Sequence, residues 1–389
     1  MNILWVPHAP WRTPQRARFF AETLSARHRV HVIDYDADFT RLQDFLSKRY
    51  ARNFFPRRWE SAGVSVHHLP RVSPALFSRR LRQLNAGMFR RTLDRVIREG
   101  QIDVVVGTFV APHPDGVPTV TDVFDDNAGF WQSYGMNKGY AQEITDSEER
   151  WIHGSVSVVT VSSVLAESVR ARSPGSEVVH IANGVDLSRY VPDKHTARRV
   201  LGLPGGATLV GNIGALDHEH EALRVLAVAE KLRGLPGAEV LVAGRGAAMP
   251  LLEREAARRG LSNLRHVGFL SGDALLLHFQ ALDIGLCPYS ATSPGDHARV
   301  PMRLLHYSAT GSRVVCTRLT EVQRMGFENV VLTADTDEAF AQGVLEALDR
   351  PIALPSALDR YDQGRLSRAY EAVLERAASR TSSRIGVPG

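Results

Sequence analysis

Two doubly wound α/β domains in tandem, Rossmann-like and facing each other across a cleft, are the architecture this sequence predicts. Its 389 residues are enough for two domains of ordinary size. Short Val- and Ile-rich runs alternate with amphipathic helical stretches in both halves, the pattern of parallel strands covered on both faces. Between the halves the alternation breaks at Pro204, Gly205 and Gly206, then restarts.

In the first half, MNILWVPHA reads as a strand and PQRARFFAETLSAR as an amphipathic helix, with further strands in HRVHVIDY and SVHHLPR. A long helical segment precedes DVVVGTF, TVTDVFDD and VSVVTVSS, and EVVHIANGVD (Glu177 to Asp186) closes the domain. The polar, proline-punctuated DLSRYVPDKHTARRVLGLPGGA predicts a linker. The second half runs TLVGNIGAL, a helix over Glu219 to Leu232, AEVLVAG, a helix over Pro250 to Arg259, and LRHVGFL. A short helix, ALDIGLCPY, a helix and strand in VPMRLLHYSATGSRVVCT, and NVVLTA complete it. The expected boundaries are 1–185, a linker over 186–206, 207–352, and a C-terminal helix and tail over 353–389. The pattern of that last helix, RLSRAYEAVLERAASR, does not say what it packs against.

Apolar residues make up 44% of the chain, which fits a buried core, and no apolar run reaches the ~18 residues of a transmembrane helix. MNILWVPHAP has neither a basic n-region nor a long apolar h-region, so a cytoplasmic chain is expected. Cys287 and Cys316 sit in apolar strand-like runs and read as buried free thiols, and no Cys/His spacing suggests zinc. A net charge of +5 suits anionic partners without choosing among phosphates, lipid head groups and nucleic acid. There is no GxGxxG and no Walker loop.

Open α/β sheets bind ligands outside the carboxyl ends of their strands. The second half carries Gly211, Gly214, Gly244, Gly246 and Gly268 near such ends, where glycine serves either close approach to a ligand or a tight turn. In Val300 to Thr317, Pro301 suits a first helical turn and Gly311 the position past the end. The free N–H groups and dipole at that helix start favour an anion. Arg299, Arg303 and His306 extend the same face at helical spacing, while Met302, Leu305 and Ala309 are expected to pack on the sheet. A diphosphate is the ligand this face best holds; a solvated basic edge is the alternative. Arg245 in VAGRGAA either adds charge or occupies a surface turn.

In the first half, His8 follows the first strand, and Asp125 and Asp126 follow TVTDVF. Each lies where a strand should open into the cleft and can exchange a proton there, or the aspartates can cap a helix or turn. The insert RLQDFLSKRYARNFFPRRWESAG, Arg41 to Gly63, is basic and interleaved with aromatics. It reads as a solvated lid, or as a contact with an anionic or lipid-linked molecule at a membrane surface.

RVPMRLLHYSATGSRVVCT resembles the SPxKLxEYxAxGxPVV segment of group 1 retaining glycosyltransferases, which have the GT-B fold. HIANGVDLSRY is similar to that family's IPNGVDxxxF. TVTDVFDDNAGF and PHAPWRTPQRARFFAETLSA resemble the YDxxDDxxxF and W-x-RPQ-x-LA segments of one branch. The matches fall in order over nearly the whole chain. The resemblance implies transfer of a sugar, with retention at the anomeric carbon, from a UDP- or GDP-sugar bound by the second domain to an acceptor bound by the first. It implies a same-face displacement in which the departing phosphate helps to deprotonate the acceptor, with no metal or other cofactor.

Carried over residue by residue, the resemblance puts Arg303, Arg299, His306, Arg245, Gly214 and Phe269 with the donor, joined by Gly295 and Asp296. It puts Asp126, Asp125 and His8 at the catalytic side, with Trp11 and Arg12 at the acceptor. A carbohydrate, a lipid-linked molecule or a small molecule would be the acceptor, and nucleic acid is not expected as a partner. A monomer or homodimer is expected, touching the inner membrane face peripherally if at all. Three departures stand out. His306 and Ala298 occupy positions where the family has Glu, and Ala215 and His218 fall where many relatives have Arg and Lys. The sugar-hydroxyl role of the missing Glu would pass to Asp296, His297 or the N–H groups of Ser293 to Gly295. These departures keep open a catalytically degenerate homologue that binds a nucleotide sugar or a partner; a sugar-nucleotide epimerase is another alternative. A phosphorylase needs a pyridoxal-binding Lys in the second domain, and no Lys follows Lys231.

Overall fold

The computed structural model describes residues 1–13, 15–35, 50, 52–72, 78–127, 138–190, 192–351 and 353–382. The chain forms two compact units, residues 1–181 together with the stretch from Leu366 onward, and residues 182–365.

The first unit is built on an eight-stranded sheet. Its strands are β1 (Asn2–Trp5), β2 (Arg29–Asp34), β3 (Arg58–Ser61), β4 (Val64–His68), β5 (Val104–Gly107), β6 (Thr119–Val123), β7 (Ser157–Thr160) and β8 (Glu177–His180). They lie in the order β3-β4-β2-β1-β5-β6-β7-β8, parallel except for the β3–β4 hairpin. Strand β3 lies inside the insert read as a lid. Ala62 and Gly63, with φ of 51° and 76°, turn it back on β4, the left-handed pair that a tight hairpin demands. Residues 41–49 and 51 of that insert lie outside the described residues.

The helix Gln363–Ser382 returns to this first unit. Its Tyr370 ring packs 5.1 Å from Trp5 and 4.7 Å from Phe20, and Leu374 and Ala377 are fully buried in the same core. Glu371 anchors it further, accepting from His28 and pairing with Arg27, each at 2.7 Å. Beneath it Arg16 and Asp122 form a buried ion pair at 3.1 Å.

The second unit has six parallel strands, β9 (Thr208–Ile213), β10 (Ala238–Ala243), β11 (Leu264–His266), β12 (Ile284–Cys287), β13 (Arg313–Thr317) and β14 (Val330–Thr333). Their order is β11-β10-β9-β12-β13-β14. The segment 186–206, expected as a linker, contains the helix Lys194–Leu201, which is tied into this unit. Arg198 on that helix is buried, donating to Ala281 O at 2.9 Å and to Asp283 at 2.6 Å. Cys287 and Cys316 are free, buried and directly opposite each other on β12 and β13. Among the described residues no helix is long and apolar enough to cross a membrane.

In both sheets the strand order reverses once, between β1 and β5 in the first unit and between β9 and β12 in the second. At such a reversal the flanking crossovers leave to opposite faces, and a crevice opens at the carboxyl ends.

Candidate functional site

Arg303 lies at the reversal point of the second unit. It is the second residue of the helix Met302–Ala309, which joins β12 to β13 and so begins near the carboxyl end of β12. Its guanidinium crosses to β9, donating to Asn212 Oδ1 at 2.8 Å and to Ala215 O at 2.7 Å. Only 9% of the residue is exposed, and among the described residues no carboxylate lies within ion-pair distance of it. A guanidinium does not deprotonate in proteins, so this is a buried positive charge held by neutral acceptors. The ring of Tyr289 lies 5.1 Å from the Arg303 guanidinium carbon and 5.0 Å from that of Arg299. Pro301 caps the helix with extended backbone and no side-chain acceptor, so its first N–H groups remain available.

Gly214 follows β9 with φ of 137°, and a Cβ there would sit 3.1 Å from Arg303 Nη2. Gly244 follows β10 with φ of 138°, and its Cβ would lie 2.1 Å from Gly214 O. The two strand ends thus close on each other with room for backbone alone. Beyond them Arg245 lies 4.4 Å over the exposed ring of Phe269, one residue from each of two neighbouring loops. Gly295 and Asp296 belong to the short helix Pro294–His297, where Asp296 accepts from Ser293 N at 3.0 Å and Ser293 Oγ at 2.8 Å. Arg299 pairs weakly with Asp296 at 3.6 Å. His297 is engaged at both nitrogens, by Ala291 O at 3.2 Å and Thr320 Oγ1 at 3.0 Å.

His306 shares the helix with Arg303 but faces Tyr190 of the NGVDLSRY segment, whose hydroxyl hydrogen-bonds its Nδ1. Its ring stacks on Phe279 at 4.8 Å. With Tyr190 as donor the proton sits on Nε2, leaving one N–H to offer. Met302 is corrected by the structure. Expected to pack on the sheet, it is 41% exposed, while Leu304, Leu305, Tyr307 and Ser308 are buried. The buried stripe is rotated because Tyr307 reaches across to donate to Gly211 O at 3.1 Å and accept from Ile213 N at 2.8 Å.

Sequence reasoning missed Arg224 and Asp335. Arg224 is buried on the helix Glu219–Leu232, donates to Tyr289 O, and reaches Thr317 Oγ1 at 3.1 Å. It also binds Asp335, whose other oxygen accepts from Ala291 N at 2.8 Å. This cluster fixes the loop that carries Tyr289. The local signal is a lone Arg on the apolar stripe of EALRVLAV.

In the first unit, His8 lies on the loop after β1, beside the sheet reversal, and stacks on Phe124 at 3.8 Å. Asp125 and Asp126 follow Phe124, with Asp125 Oδ1 accepting from Asp126 N at 2.9 Å. Trp11 is buried and its N–H donates to Asp34 Oδ1 at 2.6 Å, tying its loop to the end of β2. Arg12 is next along the same loop and lines a cavity with Asp34. The structure therefore groups His8 with the strand end that bears Asp125 and Asp126. It groups Arg303 with Arg299 and Gly214, and sets His306 apart on Tyr190.

Burial lowers the pKa of His306 to about 4, with Arg189 adding to the shift, and burial alone does the same for His8. Both are neutral in the folded protein at pH 7. As pH falls below the unfolded value near 6.5 the unfolded chain takes up protons that the folded chain refuses until about pH 4. Their contribution to stability is therefore complete above that upper value and is lost progressively below it. Thermal melts are expected to show a falling midpoint across this window, with a shallower fall in His306→Gln. A midpoint independent of pH there would show that these rings protonate without cost.

Two family models match the chain. "Glycosyltransferase Family 4" covers residues 15–189 and "Glycosyl transferases group 1" covers residues 207–350. A GDP-mannose-dependent alpha-mannosyltransferase of Mycolicibacterium smegmatis is 28% identical over 268 residues, 65% of this chain. The match spans 64% of that relative's length. Among solved structures, sucrose-phosphate synthase from Thermosynechococcus elongatus superposes with a TM-score of 0.69 at 14% identity, covering 98% of this chain and 97% of its own. Anabaena Alr3699/HepE in complex with UDP and glucose gives 0.65 at 15% identity, covering 97% and 100%. At these identities the structural likeness speaks for the fold, two parallel-sheet α/β domains of the GT-B kind. With both family models matched in order over most of its length, the chain belongs to the group 1, family 4 glycosyltransferases.

Proposed function

We propose that the protein transfers a hexose from a UDP- or GDP-sugar to an acceptor hydroxyl with retention of anomeric configuration. The observation that carries this reading is Arg303, a buried cation without a carboxylate partner at the strand-order reversal of the second unit. The donor diphosphate lies against Arg303, Arg299 and the N–H groups at the start of the helix Met302–Ala309. Gly214 lets its backbone approach the phosphates. Arg245 and Phe269 border the nucleotide, and His306 offers one N–H toward its ribose. Gly295 and Asp296 hold the loop beside the sugar.

The chemical need is to stabilise charge building on the leaving phosphate and to keep the acceptor hydroxyl close on the same face. Fixed guanidinium and helix-terminal N–H donors meet the first need without reorganising. The departing phosphate oxygen takes the acceptor proton as the new glycosidic bond forms. In the first unit Asp126 and Asp125 orient the acceptor, with Trp11 and Arg12 alongside. His8, neutral at pH 7, contributes as a hydrogen-bonding group rather than as a cation. Acceptors are carbohydrate, lipid-linked or small molecules.

A second reading, binding of a nucleotide sugar without turnover, is favoured by Ala298 and by the engagement of His306 with Tyr190. A melting screen against UDP-, GDP-, dTDP- and ADP-sugars separates the readings. A ligand at about 100 times its Kd stabilises by ~2.7 kcal/mol, a readable shift. Transfer from an α-linked donor is expected to give an α-linked product by NMR. Asp126→Asn is expected to lower turnover far more than donor affinity. No shift with any donor contradicts the proposal, and a shift without turnover selects the second reading.

A further inference from the structure

We propose that the first unit binds an anionic group of the acceptor, a phosphate or a carboxylate, in a cavity of about 520 Å³ lined by Arg12, Arg18, Arg52, Arg57, Trp11 and Trp59. The inference rests on the reading of this unit as the acceptor side. The cavity's size is that of a small-molecule site. It opens where the loop after β1 meets the end of β2, toward the carboxyl edge of the sheet, where an α/β ligand site belongs.

Charge identifies the ligand. Among the described residues, four guanidiniums and one carboxylate, Asp34, line this space. Asp34 is bound to the Trp11 N–H at 2.6 Å. Arg18 shares Glu22 at 2.8 Å and lies 5.6 Å over the Trp11 ring, so its position is set. Arg52 and Arg57 have no carboxylate within ion-pair distance among the described residues. Arg57 instead lies 6.0 Å from the ring of Trp59. Like charges gathered in a concavity repel one another, and an anion relieves that repulsion. The planar fork of a guanidinium fits two oxygens of a phosphate or carboxylate together, which a point charge does not. Trp59, 36% exposed, offers a ring face to the apolar part of the same molecule. The cavity therefore selects acceptors by a negative group next to an apolar or sugar face.

The two sources of such a group, a soluble acceptor or a lipid head group, are separated by one set of titrations. All five tryptophans precede residue 182 and the second unit contains none, so tryptophan fluorescence reports the first unit alone. The full chain is titrated with glucose 6-phosphate, glucuronate and glucose, and with phosphatidylcholine vesicles with and without phosphatidylglycerol. A saturable change is expected with an anionic probe and none with its neutral counterpart. Arg52→Gln/Arg57→Gln should weaken it about tenfold or more, the size of a lost charged hydrogen bond. Arg79→Gln/Arg80→Gln, which removes two exposed charges elsewhere on this unit, should leave it unchanged. Saturation by the soluble anions assigns a soluble acceptor, and a response to phosphatidylglycerol vesicles alone assigns a lipid. No response to any anion, equal binding of glucose, or equal loss in both double variants overturns the proposal. Donor turnover is measured separately, so loss of either result leaves the other interpretable.

Discussion

Arg303→Ala is expected to lower turnover of the nucleotide sugar by about 10²- to 10³-fold, the usual effect of removing one donor aimed at developing charge. The proposed function gives this side chain a second job beside its structural one, and the variants separate the two. Its guanidinium satisfies Asn212 Oδ1 on β9 and Ala215 O at the turn that follows it. Removing it leaves those acceptors short of a partner, which costs roughly 1–3 kcal/mol where they are buried. A lower melting midpoint should therefore accompany the loss of activity. Arg303→Lys retains the charge but cannot span both acceptors with a planar fork. Turnover in that variant should lie between wild type and alanine, with most of the midpoint deficit kept. If alanine lost stability while kcat and KM stayed near wild type, Arg303 would be a strut for the β9 turn and not a phosphate ligand.

The placement of Arg303 shows where the sequence is legible and where it is not. Most strands of both sheets follow from contiguous apolar runs rich in Val and Ile, because strands buried on both faces need little else. Arg303 stands out locally, by helical spacing from Arg299 and by the proline before it. Its burial does not, since its acceptors lie 91 and 88 residues earlier in the chain. The same holds for Arg224 with Asp335, 111 residues apart, and for His306 with Tyr190, 116 apart. Met302 was misplaced because an eight-residue helix spans barely two turns. Over that length one tyrosine reaching a strand backbone decides which stripe is buried. Strand β3 escaped notice because RWES is polar and fully on the sheet edge, where apolar alternation is not required. The helix Gln363–Ser382 has a clear apolar stripe, but both sheets present faces that such a stripe fits.

The largest stability effect is expected from Arg16→Ala. Arg16 and Asp122 are 6% and 4% exposed as side chains, and Arg16 also donates to Ile181 O at 2.6 Å. Burial pushes the Asp122 carboxyl up from its ordinary value, and Arg16 pulls it back. Removing Arg16 leaves a carboxylate stranded between β6 and the Phe20 and Tyr370 rings over which the guanidinium lies, 4.8 and 5.9 Å away. Breaking a buried pair from one side costs about 3–5 kcal/mol. For a unit of this size each kcal/mol moves the midpoint by roughly 2–4 °C, so a drop on the order of 10 °C is expected by tryptophan fluorescence. Arg16→Met/Asp122→Leu should recover much of that loss, since a well-packed apolar pair often matches a buried ion pair. The comparison also distinguishes Asp122 from its neighbours. If Asp122 only joins the last helix to the sheet, the double variant keeps the donor-dependent activity that Asp126→Asn loses. Activity lost in both, with stability restored in the double variant, would place Asp122 among the groups that orient the acceptor.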